Sequence, residues 1–148
     1  MESQLEKKDL IAIRTNTPED RNFILSTWLR GSYYGDTWYG LIPKNIFMEQ
    51  YHNILEKFLL RAGVNIQVAC LKEDPDVILG YSVSRNVKNG EADISIVDWV
   101  FVKSAWRKIG IGKMLMPNKI NATTHITKAG LSIMKQKLPN VIYNPFIF

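Results

Sequence analysis

The sequence predicts an α+β fold with a mostly antiparallel sheet flanked by helices, in the order β-α-α-β-β-β-α-β-α-β. Three observations lead there. Two helical patterns come early, one opening at Thr17-Pro18 and one at Pro43. Three strands then follow in succession between Val64 and Lys103, joined by turn signals. The last third alternates short helical and strand patterns, and no repeat or linker interrupts the chain.

Asp9 to Thr15 forms the first strand, with Leu10, Ala12 and Arg14 alternating against Ile11 and Ile13. At Thr17-Pro18-Glu19-Asp20 a helix begins. Thr17 can cap it, Pro18 suits its first position, and two acids sit at the positive end of its dipole. This helix carries Phe23, Ile24, Thr27 and Trp28 and is expected to stop near Gly31, leaving Ser32 to Gly40 as an aromatic loop. The second helix places Phe47, Tyr51, Ile54 and Phe58 on one face and ends with Arg61 and then Gly63.

From Val64 the period changes to two, through Ile66, Val68 and Cys70. Asp74-Pro75-Asp76 turns the chain into a return strand, Val77 to Asn86. Lys88-Asn89-Gly90 predicts a tight hairpin, because Asn and Gly tolerate positive φ, and Glu91 to Lys103 is the long third strand. Ile111 to Asn121 predicts a helix that Pro117 shortens or kinks. Ala122 to Ile126 reads as a strand, and Thr127 caps a helix carrying Ala129, Leu131, Met134 and Leu138, closed by Pro139. Val141 to Phe148 reads as an apolar terminal strand.

With 148 residues, 46% hydrophobic and 22% charged, a single domain over 1–148 with a packed core is expected. One cysteine, Cys70, gives no disulfide framework, and His52 and His125 stand too far apart in sequence to suggest a metal site. The longest apolar runs, Phe58 to Leu60 and Val100 to Val102, are far shorter than a membrane span. Met1 to Leu10 lacks the apolar stretch of a signal peptide, so a cytoplasmic protein without a membrane partner is expected. The net charge of +5 contains no block of five basic residues. It reads chiefly as an aid to solubility, with a phosphate-bearing ligand or nucleic acid left open.

The most informative segment runs from Val100 to Lys113, where a strand enters a turn spelled Arg107-x-x-Gly110-x-Gly112 and an apolar helix leaves it. Glycines let the main chain come close to a ligand, and unpaired amides at a helix start attract anions. Arg107 and Lys113 add positive charge, so a phosphate or pyrophosphate is the natural guest. A Walker loop would need Gly at position 107 and Ser or Thr at 114, where Arg107 and Met114 stand. A dinucleotide fingerprint would need three glycines in a βαβ unit. The alternative is an ordinary glycine-bearing turn.

Followed by Met114-Leu115-Met116, this stretch resembles motif A of the GNAT superfamily of acyl-CoA-dependent N-acetyltransferases. Arg107, Gly110 and Gly112 fill its three positions, Val102 its apolar strand position and Trp106 the aromatic before the arginine. The order of elements is similar to that family's as well. The resemblance implies a GNAT-like fold, acetyl-CoA as donor, and direct transfer to a primary amine on a small molecule or protein. It implies that the amides of Arg107, Lys108, Ile109, Gly110, Ile111, Gly112 and Lys113 hold the coenzyme A pyrophosphate. It also implies that the main chain of Val100, Phe101 and Val102, on a splayed strand end, pairs with the pantetheine arm.

By the same resemblance, acceptor contacts fall between the first two helices, at Tyr33, Tyr34, Asp36, Trp38 and Tyr39. Aromatics with one acid suit a cationic amine, and plain packing on the sheet is the alternative. Asp98 is the candidate catalytic base, on a strand face with Ile94, Ile96, Val100 and Val102 and between Val97 and Trp99, where burial raises a carboxylate pKa. A salt-bridged or solvent-facing aspartate is the alternative. Some family members carry a glutamate base at the position of Ile96, and many carry a last-helix tyrosine that Ala129 to Lys135 lacks. The second functional reading is therefore a GNAT-fold protein with reduced catalysis that binds or inhibits a protein or nucleic acid. Either a monomer or a homodimer paired through the terminal strand fits the sequence.

Overall fold

The computed structural model describes residues 4–36, 38–127, 134–137 and 140–148. In chain order the elements are α1 (Gln4–Asp9), β1 (Ile11–Thr15), α2 (Arg21–Gly35), α3 (Lys44–Leu59), β2 (Val64–Leu71), β3 (Ile78–Asn89), β4 (Ala92–Val102), α4 (Ile111–Leu115), β5 (Ala122–Thr123) and β6 (Ile142–Tyr143). The six strands among the described residues form one sheet in sequence order. β1 to β4 pair antiparallel, whereas β5 runs parallel to β4 and β6 parallel to β5. The fold is thus the mixed, mostly antiparallel sheet flanked by helices that the sequence predicts. No helix among the described residues is long and apolar enough to cross a membrane.

Alternation along the strands divides the interior in two. On one face, Trp28, Leu55 and Phe58 of the two long helices pack against Val68, Tyr81 and Val83. On the other, Ile111 and Leu115 of α4 cover Ile11, Ala69 and Leu79. Val68 and Ala69, adjacent on β2, point to opposite layers, as the two-residue period requires.

Several boundaries differ from the sequence reading. Gly31 does not stop α2, which runs on to Gly35. A Cβ on Gly31 would lie 2.8 Å from the Trp99 ring, so this glycine marks a close approach of helix to sheet. Ser32 is therefore helical and buried, not part of a loop. α1 was not foreseen. α4 stops at Leu115, because Pro117 holds Met116 extended (φ −79°, ψ 145°). β5 and β6 contain two residues each, and the chain after β6 turns through Pro145–Ile147. Of the helix expected after Thr127, residues 134–137 are helical, whereas Ala129, Leu131, Leu138 and Pro139 lie outside the described residues.

Two features of β4 position the site. Val83 pairs with Trp99 and Ser84 with Val97, so Asp98 is an extra residue, a bulge that breaks the alternation. Four consecutive residues, Ile96 to Trp99, are buried as a result. β5 pairs only with Ile96 and Val97, so among the described residues no strand lies on that edge of β4 from Trp99 to Val102.

Candidate active site

Beyond β4 the chain makes a short 3-10 turn at Ser104–Trp106 and enters the glycine turn. Lys108 (φ 67°) and Gly110 (φ 94°) both occupy left-handed backbone conformations. For lysine this is unusual and carries strain of order 1 kcal/mol or more, a feature that clusters at functional sites. Helical bonding begins with the Met114 amide, which donates to the Gly110 carbonyl at 3.0 Å. The amides of Lys108 to Lys113 donate to no described residue. Lys108, Gly110 and Lys113 are exposed, so water or a ligand can reach them. A Cβ on Gly112 would meet nothing within 4 Å, so nothing in the protein itself requires a glycine there.

Arg107 behaves differently from its neighbours. Its amide donates to the Ser104 carbonyl at 3.4 Å, and its Nε donates to the Val102 carbonyl at 3.0 Å. It therefore ties the turn back to the end of β4 instead of offering its amide to a guest. Two unforeseen cations come from α1. Lys8 Nζ lies 3.8 Å from where a Cβ on Gly110 would sit. Lys7 Nζ donates to the Ala105 carbonyl at 3.4 Å and lies 5.4 Å over the Trp106 ring. Only their distant position in sequence hid them. With Lys113, they surround the turn with positive charge.

A cavity of about 360 Å³ lies between α2, α3, the β4–β5 edge and the C-terminal segment. Of the five residues expected to meet the acceptor, Asp36 and Tyr39 line this cavity and Tyr33, Tyr34 and Trp38 do not. Tyr33 packs on Phe47 and donates its hydroxyl to the Ile42 carbonyl at 3.0 Å. Tyr34 and Trp38 are 65% and 73% exposed. The wall instead includes Ser32, Tyr51, Trp99, His125 and Phe148, which come together only through the fold. Tyr51 had registered as a core position of its helix, and that periodicity gave no sign of a cavity beside it.

The polar groups here are few and well defined. Asp36 Oδ1 accepts the amides of Trp38 (2.7 Å) and Tyr39 (3.1 Å), fixing the turn between the helices. Burial, reinforced by the Asp36 charge, pushes the Tyr39 phenol above its ordinary value. Burial likewise drives the Tyr51 phenol far up, so both stay protonated near neutral pH. Ser32 Oγ and Tyr51 Oη are buried beside one another, and Trp99 Nε1 beside the Tyr81 hydroxyl, without a well-formed hydrogen bond among the described residues. Such groups are costly unless something completes them.

Asp98 is fully buried and its carboxylate is committed. Arg85 meets it from two nitrogens at 2.8 Å each, and Thr124 Oγ1 donates to Oδ1 at 2.6 Å. The bulge turns Asp98 away from the face expected for it and into this network, an arrangement unlike that of an open base. Thr124 Oγ1 also lies 2.8 Å from His125 Nδ1. The single threonine proton goes to the carboxylate, so Nδ1 is assigned as the donor to Oγ1, and the neutral ring keeps its lone pair on Nε2. Burial lowers the His125 pKa from 6.5 to about 4, against the opposing pull of Asp98. The imidazole is therefore neutral at pH 7.

No protein-family model matches the chain, and no curated protein matches it in sequence. Solved structures match it in shape. A proposed acetyl transferase from Pyrococcus furiosus superposes with a TM-score of 0.61 at 16% identity, over 93% of this chain and 87% of that one. A possible acetyltransferase from Clostridium difficile 630 gives 0.53 at 13% identity, over 91% of this chain and 80% of that one. A structure described as histone acetyltransferase HPA2 and related acetyltransferase, from Corynebacterium glutamicum, gives 0.53 at 17%, over 71% and 67% of the two chains. The fold of this chain is that of the GNAT-type acetyltransferases.

Proposed function

We propose that the protein is an N-acetyltransferase that moves an acetyl group from acetyl-CoA directly to a primary amine. The observation that carries this reading is the run of amides from Lys108 to Lys113 that meet no partner among the described residues, in an exposed turn beside a strand edge that β5 leaves uncovered. Acetyl-CoA would supply an activated acetyl thioester. The turn amides, with Lys7, Lys8 and Lys113, would hold its diphosphate. Val100 to Val102 would offer main-chain groups to the pantetheine arm, with the Val102 carbonyl already bonded to Arg107.

The cavity beyond Trp99 would receive the amine. There His125 lines the wall as a neutral ring, and with its pKa held low by burial the amine would arrive having lost its proton to water. Asp98 would act as a positioning residue, holding Thr124 and through it the histidine ring, instead of taking the proton itself. With acetyl-CoA bound, attack by the amine nitrogen would form the amide C–N bond as the thioester C–S bond broke. The proton shed by the nitrogen and the proton taken up by the departing sulfur balance.

Calorimetry with acetyl-CoA tests the reading. The wild-type chain should bind, and Gly112→Val should lose at least about tenfold in affinity while keeping its melting temperature, since its side chain points into open space. Absence of binding by the wild type at millimolar ligand would refute the proposal. Binding without thioester consumption across a panel of amines would favour the reduced-catalysis, binding-module reading.

A further inference from the structure

We propose that α1 gives the coenzyme site a second phosphate contact. Lys8, held over the glycine turn, pairs with the 3′-phosphate of coenzyme A, so that the chain distinguishes the coenzyme from its 3′-dephospho form. This rests on the glycine turn holding the coenzyme diphosphate, and it deepens that reading by assigning the ligand's other phosphate to a helix outside the expected strand-first order.

Charge is the first ground. After Asp98 the chain carries eight lysines and arginines and no aspartate or glutamate. Three of these cations, Arg107, Lys108 and Lys113, stand exposed in the turn, and the fold adds Lys7 and Lys8 from the other end of the chain. None of the five forms an ion pair among the described residues. The diphosphate of coenzyme A brings two negative charges, and the amides of Lys108 to Lys113 answer it in part without any cation. Five cations are more than it needs. A 3′-phosphomonoester adds about 1.5 to 2 further negative charges at pH 7, with three acceptor oxygens. The two groups are joined through a single ribose, so a cation standing at the first is within a sugar's breadth of the second.

Placement is the second ground. One residue, Leu10, separates α1 from β1, and Ile11 at the start of β1 is buried in one cluster with Ile111 and Leu115 of α4. The Leu10 amide closes the end of α1 by donating to the Lys7 carbonyl at 3.0 Å. Lys7 Nζ then ties the helix to the Ala105 carbonyl and the Trp106 ring. These anchors bring Lys8 Nζ to 3.8 Å from the Cβ position of Gly110. A lysine that served only the C-terminal end of α1 would turn back to that helix's own carbonyls, whereas Lys8 reaches the glycine turn.

Calorimetry on the full chain, comparing coenzyme A with 3′-dephospho-coenzyme A, tests the proposal. The wild type should bind coenzyme A at least about tenfold more tightly than the dephospho form. Lys8→Ala should bring that preference down to about twofold, and Lys8→Arg should keep it. Lys57→Ala removes an equal charge from the exposed face of α3, in the other layer of the fold, and should leave the preference unchanged. Phosphorus NMR adds a readout that a change in folding does not move. The 3′-phosphate of the bound coenzyme should stay doubly ionised well below its free second pKa of about 6, and Lys8→Ala should return it towards that value. A wild-type preference under about threefold, or a Lys8→Ala protein that keeps the full preference, overturns the phosphate contact and leaves acetyl-CoA binding itself intact. So does an equal loss in Lys57→Ala, which marks the effect as net charge alone. Failure of the wild type to bind either form refutes the coenzyme reading and this proposal with it.

Discussion

A histidine enclosed by Trp28, Tyr51 and Phe148 loses more from dehydration of its charged form than it gains from the nearby Asp98 carboxylate. That imbalance makes His125 a sensor of pH for the whole fold. In the unfolded chain the ring takes up a proton near its ordinary pKa of 6.5, whereas the native ring does so only near 4. Between these values the unfolded state binds more protons, so stability falls as pH drops, by up to about 3 kcal/mol across the window. Urea unfolding at pH 7 and about 4.5 should show this loss, and His125→Gln should remove most of it. Asp20, held below its usual 3.8 chiefly by its hydrogen bonds from Arg14, loses its contribution only as pH falls below that value, outside this window. At this scale the sequence was partly legible. Gly110 and Gly112 were recognisable because the chemistry they permit is local to the turn. Lys8 and Ser32 were not, since their significance comes from side chains far away in sequence.

β4 shows how one inserted residue redirects an element. Strict alternation would place Asp98 with Ile96 and Val100, but the bulge gives it to Arg85 and Thr124. Arg85 itself is nearly buried, bonded to the Ile147 carbonyl and stacked 5.1 Å over Phe58, so it has little recourse to water. Asp98→Asn leaves that guanidinium without its counter-charge and should cost about 3–5 kcal/mol of stability, read as a lower urea midpoint. A cost below about 1 kcal/mol would mean that the pair is not the anchor described here. Helix and strand types were readable from period, as α3, β2 and β3 illustrate. Ends were not. The length of α2 depends on how Gly31 meets Trp99, and the brevity of β5 on where β4 separates from it, neither of which a linear pattern records.

Across the molecule the two layers on either side of the sheet are unequal. α2 and α3 enclose a large aromatic interior, whereas the glycine turn is anchored by the smaller group formed by Ile11, Ala69, Leu79, Ile111 and Leu115. Local opening should therefore be easier on the α4 side. Native-state hydrogen exchange should find the Met114 and Leu115 amides less protected than those of central α2 and α3, by on the order of a hundredfold. Uniform protection would contradict two layers of unequal stability. The proposed donor and acceptor regions meet only along β4, and that strand is steadied from beneath by a position with no side chain. Gly31 touches the Trp99 indole without lining the cavity itself. One added methyl there would drive the ring from its place, so the dimensions of whatever guest is admitted are governed by an omission on the far side of the wall.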